Sequence, residues 1–283
     1  MQRPDEPASP GGWTPDASSH QHTACSSQHA STHETMTDTQ VTYVNYLELP
    51  ALLDLQHPHS RPEHPDELLF IVVHQSSELW FKVILHELRA LIGRMQANAP
   101  LDALAIVKRL NALVGIVSAQ LAALETLPPQ HFAQFRGYLG TSSGSQSDQF
   151  RAIEALSGLR DDHFMHAISE HGAPPALVAS ALEAPVLQSL FESMVASADT
   201  TIEAIYADPS PSPLFLLAEE LLEYEQGFAR WRFLHVQLVE RIIGPGTGGT
   251  GGTLGARYLA RTVNQRFFPV LWDVRSHFFG ASK

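Results

Sequence analysis

PLFLLAEELLEYEQGFARWRFLHVQLVERII, residues 213–243, decides the fold. Leu214, Leu217, Leu221, Tyr224, Phe228, Trp231, His235, Leu238 and Ile242 follow one another at steps of three and four. All nine side chains therefore share one face of a single long helix, and Pro213 suits its first turn. A strand would need a period of two, which the segment lacks. So continuous an apolar face must be covered, and the rest of the chain supplies helices to cover it. Asp66 is placed to cap DELLFIVVHQSSELWFKVILHELRALIGRMQAN, Pro100 opens LDALAIVKRLNALVGIVSAQLAAL, and Pro185 opens VLQSLFESMVASADTTIEAIY. No alternating strand, Asn-Gly hairpin or internal repeat is visible. The expected fold is all-α: a helical bundle of long core helices with shorter helices around it.

Composition narrows the function. The chain has 283 residues, 18 basic and 30 acidic, for a net charge of −12. That surface repels nucleic acid and anionic membranes, so neither is expected as a partner. No run of eighteen apolar residues exists and the N-terminus has no signal-peptide core, so a soluble, cytoplasmic protein is expected. Cys25 is the single cysteine, which rules out an internal disulfide and a cysteine-based metal site within one chain. Residues 1–40 are rich in Ser, Thr, Pro, Gly and His and read as a disordered tail ahead of one helical domain over 41–283. The tail histidines His20, His22, His29 and His33 read as passive, although a metal is within their chemistry.

Two histidines sit on the apolar stripes. His235 points where Trp231 and Leu238 point; His74 shares a face with Phe70, Ser77, Phe81, Leu85 and Leu88. Either alone is an ordinary core histidine satisfied by a hydrogen bond. Two of them, flanked by aromatics on different long helices, describe an apolar slot with imidazole on each wall. A flat iron-bearing cofactor, haem, suits such a slot. Competing metal chemistries lack their residues: no Glu-x-x-His and no His-Glu-x-x-His occurs.

Two further stretches suggest a substrate grip. In PPQHFAQFRGYLGTSSGSQSDQF, Arg136 stands among Phe132, Phe135 and Tyr138. It is either a surface arginine stacked on a ring or a guanidinium fork for a carboxylate beside an aromatic wall. The second is GPGTGGTGGTLG, residues 244–255, which contains Gly-x-Gly-x-x-Gly. A long helix rather than a strand precedes it, so the dinucleotide reading fails. A plain linker remains open beside a mobile loop that closes over a ligand.

Together, YVNYLELPALLDLQ (43–56), ELLFIVVHQSSELWFK (67–82), FAQFRGYLGTSSGSQS (132–147), RWRFLHVQLVER (230–241) and GTGGTLGARYL (249–259) resemble the tryptophan 2,3-dioxygenases, in family order. The resemblance implies a homotetrameric enzyme holding haem b. Such an enzyme adds O2 across the indole C2–C3 bond of L-tryptophan to give N-formylkynurenine. It implies His235 as the iron ligand and His74 as the catalytic distal histidine that meets the indole N–H. Phe70, Phe132, Arg136, Leu139, Ser143, Gly144 and Thr250 would line the substrate, with Arg136 on its carboxylate and Thr250 on its ammonium and carboxylate. Ser142, Ser143 and Gly144 would edge the haem, and Tyr43, Tyr46 and Leu47 would reach a neighbouring subunit's site. Thr250 rather than Thr247 is the matching threonine, because only that register aligns Gly255 and Tyr258-Leu259. Where the family commonly has GTGGSSGY this chain has GTGGTLGA, Leu234 replaces a usual arginine, and the stretch from Arg136 to His235 is shorter. A monooxygenase of the same family acting on a tryptophan derivative, with an oxindole-type product, stays open beside the dioxygenase; a non-catalytic haem-binding bundle and a purely structural helical protein are the remaining readings.

Overall fold

The computed structural model describes residues 40–160, 162–169, 172–249 and 255–280. The expected tail, apart from Gln40, lies outside them, as does Thr250. All regular structure among the described residues is helical, and no strand occurs there. The chain divides into a unit ending at Leu49 and a unit from Pro50 to Lys283. In the first, Tyr43–Tyr46 forms one helical turn under a capping box: Thr42 Oγ1 accepts from Asn45 N, and Asn45 Oδ1 accepts from Thr42 N at 2.7 Å. Tyr43, Tyr46 and Leu47 are exposed.

In the second unit, helix Pro100–Ala119 packs against both Pro65–Gln96 and Pro213–Ile243, which rest chiefly on it rather than on each other. Gly227 permits the close approach of one pair, since a Cβ there would sit 3.0 Å from Val114 Cγ1. The stripe of the 213–243 helix is covered unevenly. Leu214, Leu217, Leu221, Tyr224 and Phe228 are buried, whereas Trp231, His235 and Ile242 are only partly so. The bundle is tight at one end and opens around His235.

Buried polar residues pin the shorter elements to this frame. Glu225 is fully buried and accepts from Phe267 N (2.6 Å), Phe268 N (2.8 Å), Trp272 Nε1 (2.6 Å) and Arg266 (3.0 Å). One carboxylate thus holds the start of the Pro269–Phe278 helix. Glu154, also buried, accepts from Arg232 and Arg151, each at 2.8 Å, tying helix Asp148–Ser157 to the long helix one turn before His235.

Local boundaries differ from the sequence reading at three places. The segment opened by Pro100 ends its helix at Ala119 and continues as a separate short helix, Leu121–Leu124. The 65–96 helix starts at Pro65, and its cap is His64, whose Nδ1 accepts from Asp66 N; Asp66 lies in the first turn, where its charge favours the helix dipole. The segment after Pro185 is two helices, Leu187–Ser197 and Ile202–Ala207. Asp199 at φ 51° ends the first and Thr201 caps the second.

Candidate active site

His74 and His235 stand on the two long helices that flank the opening. His74 Nδ1 lies 2.7 Å from the Phe70 carbonyl one turn back. A carbonyl oxygen has no proton to give, so Nδ1 donates and, in the neutral ring, Nε2 is left a bare acceptor. Water reaches this ring, yet protein surrounds it on most sides, as on the wall of a slot. Desolvation lowers its pKa; the bond to Phe70 and the charge of Glu78 only partly restore it. His235 is pushed down to about 4 by burial and by His74. The two imidazoles are therefore close enough to sense each other's charge, and both are neutral at physiological pH.

Aromatic rings continue both walls. The Phe70 ring lies 4.2 Å from His74 between centroids, 5.6 Å from Phe132 and 5.8 Å from Phe135. Phe132 and Phe135 are buried with Leu127, and Leu139, Ile242 and Ile243 pack against them. Trp231 stacks 5.3 Å from His235 and 4.9 Å from Phe150. Leu234 packs into the cluster of Val73, Leu121, Leu124 and Leu238, where an apolar side chain fits.

Arg136 begins a 3-10 turn, Arg136–Leu139, directly after helix Pro129–Phe135. Its guanidinium donates to the Gly248 carbonyl at 2.5 Å, joining residues 112 apart. The glycine-rich loop is thereby brought to the arginine. Gly255, at φ 59°, closes the same loop: a Cβ there would lie 2.5 Å from the Thr247 carbonyl oxygen and 3.1 Å from Gly249 N. Residues 250–254, Thr250 included, are outside the described residues, but the ends of their loop meet. Ser142 and Ser143 spend their hydroxyls locally, on Leu139 O and on Ser145, and Gly144 opens the short turn Gly144–Gln146. No hydrogen bond joins these three to Arg136, His74 or His235 among the described residues.

A haem fits what is present. Neither ring nitrogen of His235 has a hydrogen-bond partner among the described residues, its neutral form is the ligating one, and Trp231 Nε1 beside it is buried without an acceptor. Phe70, Phe132, Trp231 and Leu234 supply apolar surface near the two histidines, as a porphyrin requires.

The model of the tryptophan 2,3-dioxygenase family matches residues 26–171 and 192–278. The chain belongs to that family. The tryptophan 2,3-dioxygenase of Kineococcus radiotolerans is 38% identical over 261 residues, 84% of this chain and 91% of the relative. That of Anaeromyxobacter dehalogenans is 39% identical over 258 residues (83% and 95%), and that of Serratia proteamaculans 38% over 261 (84% and 93%). These are oxidoreductases, and this chain is an enzyme of their family. Residues 172–191, which fall outside the tryptophan 2,3-dioxygenase match, lie in the stretch between Arg136 and His235.

One residue at the site escaped the sequence reading, and another was legible only as part of the apolar stripe. Gln149 Nε2 donates to both the carboxylate and the carbonyl of Glu78, fixing the charge nearest His74, and nothing in its local sequence signals this. Trp231 was visible as a stripe residue four before His235, a spacing that stacks their rings.

Proposed function

We propose that the protein is a haem-dependent dioxygenase that cleaves the C2–C3 bond of L-tryptophan and releases N-formylkynurenine. The reading is carried by one observation: a histidine with a bare Nε2 and a second histidine with no hydrogen-bond partner among the described residues stand on two long helices, close enough to interact electrostatically and each beside an aromatic ring. His235 is the residue to hold the iron. When bound, haem supplies the activation of O2, chemistry no side chain here provides. The rest of the work is done by this chain. Nε2 of His74 accepts a hydrogen bond from the indole N–H, and its lowered pKa keeps it an acceptor rather than a permanent proton holder. Phe70, Phe132 and Leu139 take the indole faces and edge and exclude water. Arg136 takes the substrate carboxylate, and the loop ending at Gly255, carrying Thr250, closes over the ammonium side. Ser142, Ser143 and Gly144 form the turn at the haem edge.

The working assembly in this reading is a homotetramer. Leu68, Val72, Leu79 and Val83 fall on one face of the 65–96 helix, opposite His74, and all are exposed. This face makes the helix apolar and long enough to cross a membrane by composition alone, and a second copy is the covering proposed here. Tyr43, Tyr46 and Leu47, exposed on their own turn, would then enter a neighbour's site. Light scattering on Val72→Glu/Leu79→Glu should report smaller particles; an unchanged tetramer removes this face from the interface.

The deciding experiment is anaerobic titration of the ferrous protein with tryptophan, followed by O2 and mass analysis. A gain of two oxygen atoms supports ring cleavage; a gain of one refutes it in favour of an oxindole. His235→Ala should lose axial ligation and His74→Ala should retain haem with altered turnover. The reverse pattern refutes the assignment.

A further inference from the structure

Away from the slot, His64, Asp66 and His131 converge where helix Pro129–Phe135 meets the first turn of Pro65–Gln96. Their donor atoms all lie within 4.8 Å of one another, and each residue is half-buried. His131 Nδ1 is 2.8 Å from Asp66 Oδ2, and the His64 and His131 rings stand edge to face at 5.2 Å. The Phe135 ring, 5.4 Å away, backs His64 with an apolar surface.

We propose that these three residues bind a divalent transition metal, zinc first. Two imidazoles and one carboxylate, with no thiolate, form a nitrogen–oxygen set suited to zinc, and three protein ligands leave a fourth position for water. Bonds of about 2.0–2.2 Å need donor atoms closer than 4.8 Å, so the rings rotate inward on binding. Two existing bonds give way. The bond between His131 and Asp66 opens so that both can ligate, and His64 surrenders its cap on Asp66 N, since an Nδ1 that ligates metal, or that carries a proton while Nε2 ligates, accepts nothing. Binding staples the short helix that carries Phe132 and leads into Arg136 to the base of the helix that carries His74, making the site a brace for the pocket.

The test uses full-length haem-loaded protein washed with EDTA, which leaves haem iron in place. Zn2+ is titrated against a chromophoric chelator. One equivalent per chain should bind, with a rise in Tm. His131→Gln, at a half-exposed position, should weaken binding by at least the 10- to 100-fold that loss of a mere outer-shell partner brings about, and His64→Gln should do the same. A variant with His20, His22, His29 and His33 all changed to Gln should bind as well as the parent. Uptake that disappears with the tail histidines overturns the proposal, as does equal binding by His131→Gln or no uptake at all.

Discussion

Gly255→Ala isolates the loop from the rest of the pocket. At φ 59° and ψ −138° the backbone occupies a region that residues with a Cβ rarely enter, a strain of roughly 1–3 kcal/mol. The added Cβ would also meet the Thr247 carbonyl oxygen at 2.5 Å, and that oxygen belongs to backbone and cannot swing aside as a side chain would. Closing the loop therefore becomes at least about 2 kcal/mol harder, which corresponds to roughly thirtyfold in an equilibrium constant. The strain acts at the loop's meeting point, on the cap of the short helix Ala256–Thr262, and not on the long helices that carry His74 and His235. Tryptophan affinity, measured by anaerobic spectral titration, should fall by about that factor, while the Soret band and Tm stay near those of the parent. Serine, with the same Cβ, should behave alike. Normal tryptophan affinity in Gly255→Ala would show that the crossing of Thr247 and Gly255 has no part in holding substrate.

Other perturbations separate the remaining parts. Arg136→Lys keeps the charge but loses the fork, so KM for tryptophan should rise at least tenfold with haem content unchanged; a KM within twofold of the parent removes the carboxylate role. Glu225→Ala strands three donors, on Phe267, Phe268 and Trp272. At about 1 kcal/mol or more each, urea unfolding should show a loss of at least about 3 kcal/mol, and a loss below about 1 kcal/mol contradicts the clamp. Glu67 is buried, which alone would raise its pKa, but bonds from Ser60 and from the His59 and Ser60 amides outweigh this and hold it below its ordinary 4.5. The chain thus gains stability from Glu67 that is complete above pH 4.5 and lost as pH falls through the lower folded value. Glu67→Gln should flatten the acid limb of Tm against pH, and an unaltered limb refutes the assignment.

The long helices were legible because their apolar stripes report geometry directly, and His74 and His235 could be placed on the apolar stripes of two different helices for the same reason. Phe132 and Arg136 stood out as a charge among rings within a few residues. What was hidden depends on distant or competing contacts. The Arg136–Gly248 bond joins segments no local pattern relates, and neither Glu225 nor Gln149 announces the partners it meets across the fold. The helix break at Ala198–Thr201 was missed because its apolar spacing continues on both sides, while Asp199 adopts a left-handed conformation that a period cannot reveal. At the start of the 65–96 helix, Asp66 had the better capping propensity, yet His64 already stood in the extended conformation a cap requires.

Arg136 is not idle before substrate arrives, because its guanidinium already holds the Gly248 carbonyl. The Gly248 carbonyl occupies only one of the five N–H donors of the guanidinium. In the proposed reading a carboxylate therefore binds the remaining donors while the chain that leads into the glycine-rich loop stays attached. One side chain would then tie the anion to the very segment proposed to close over it.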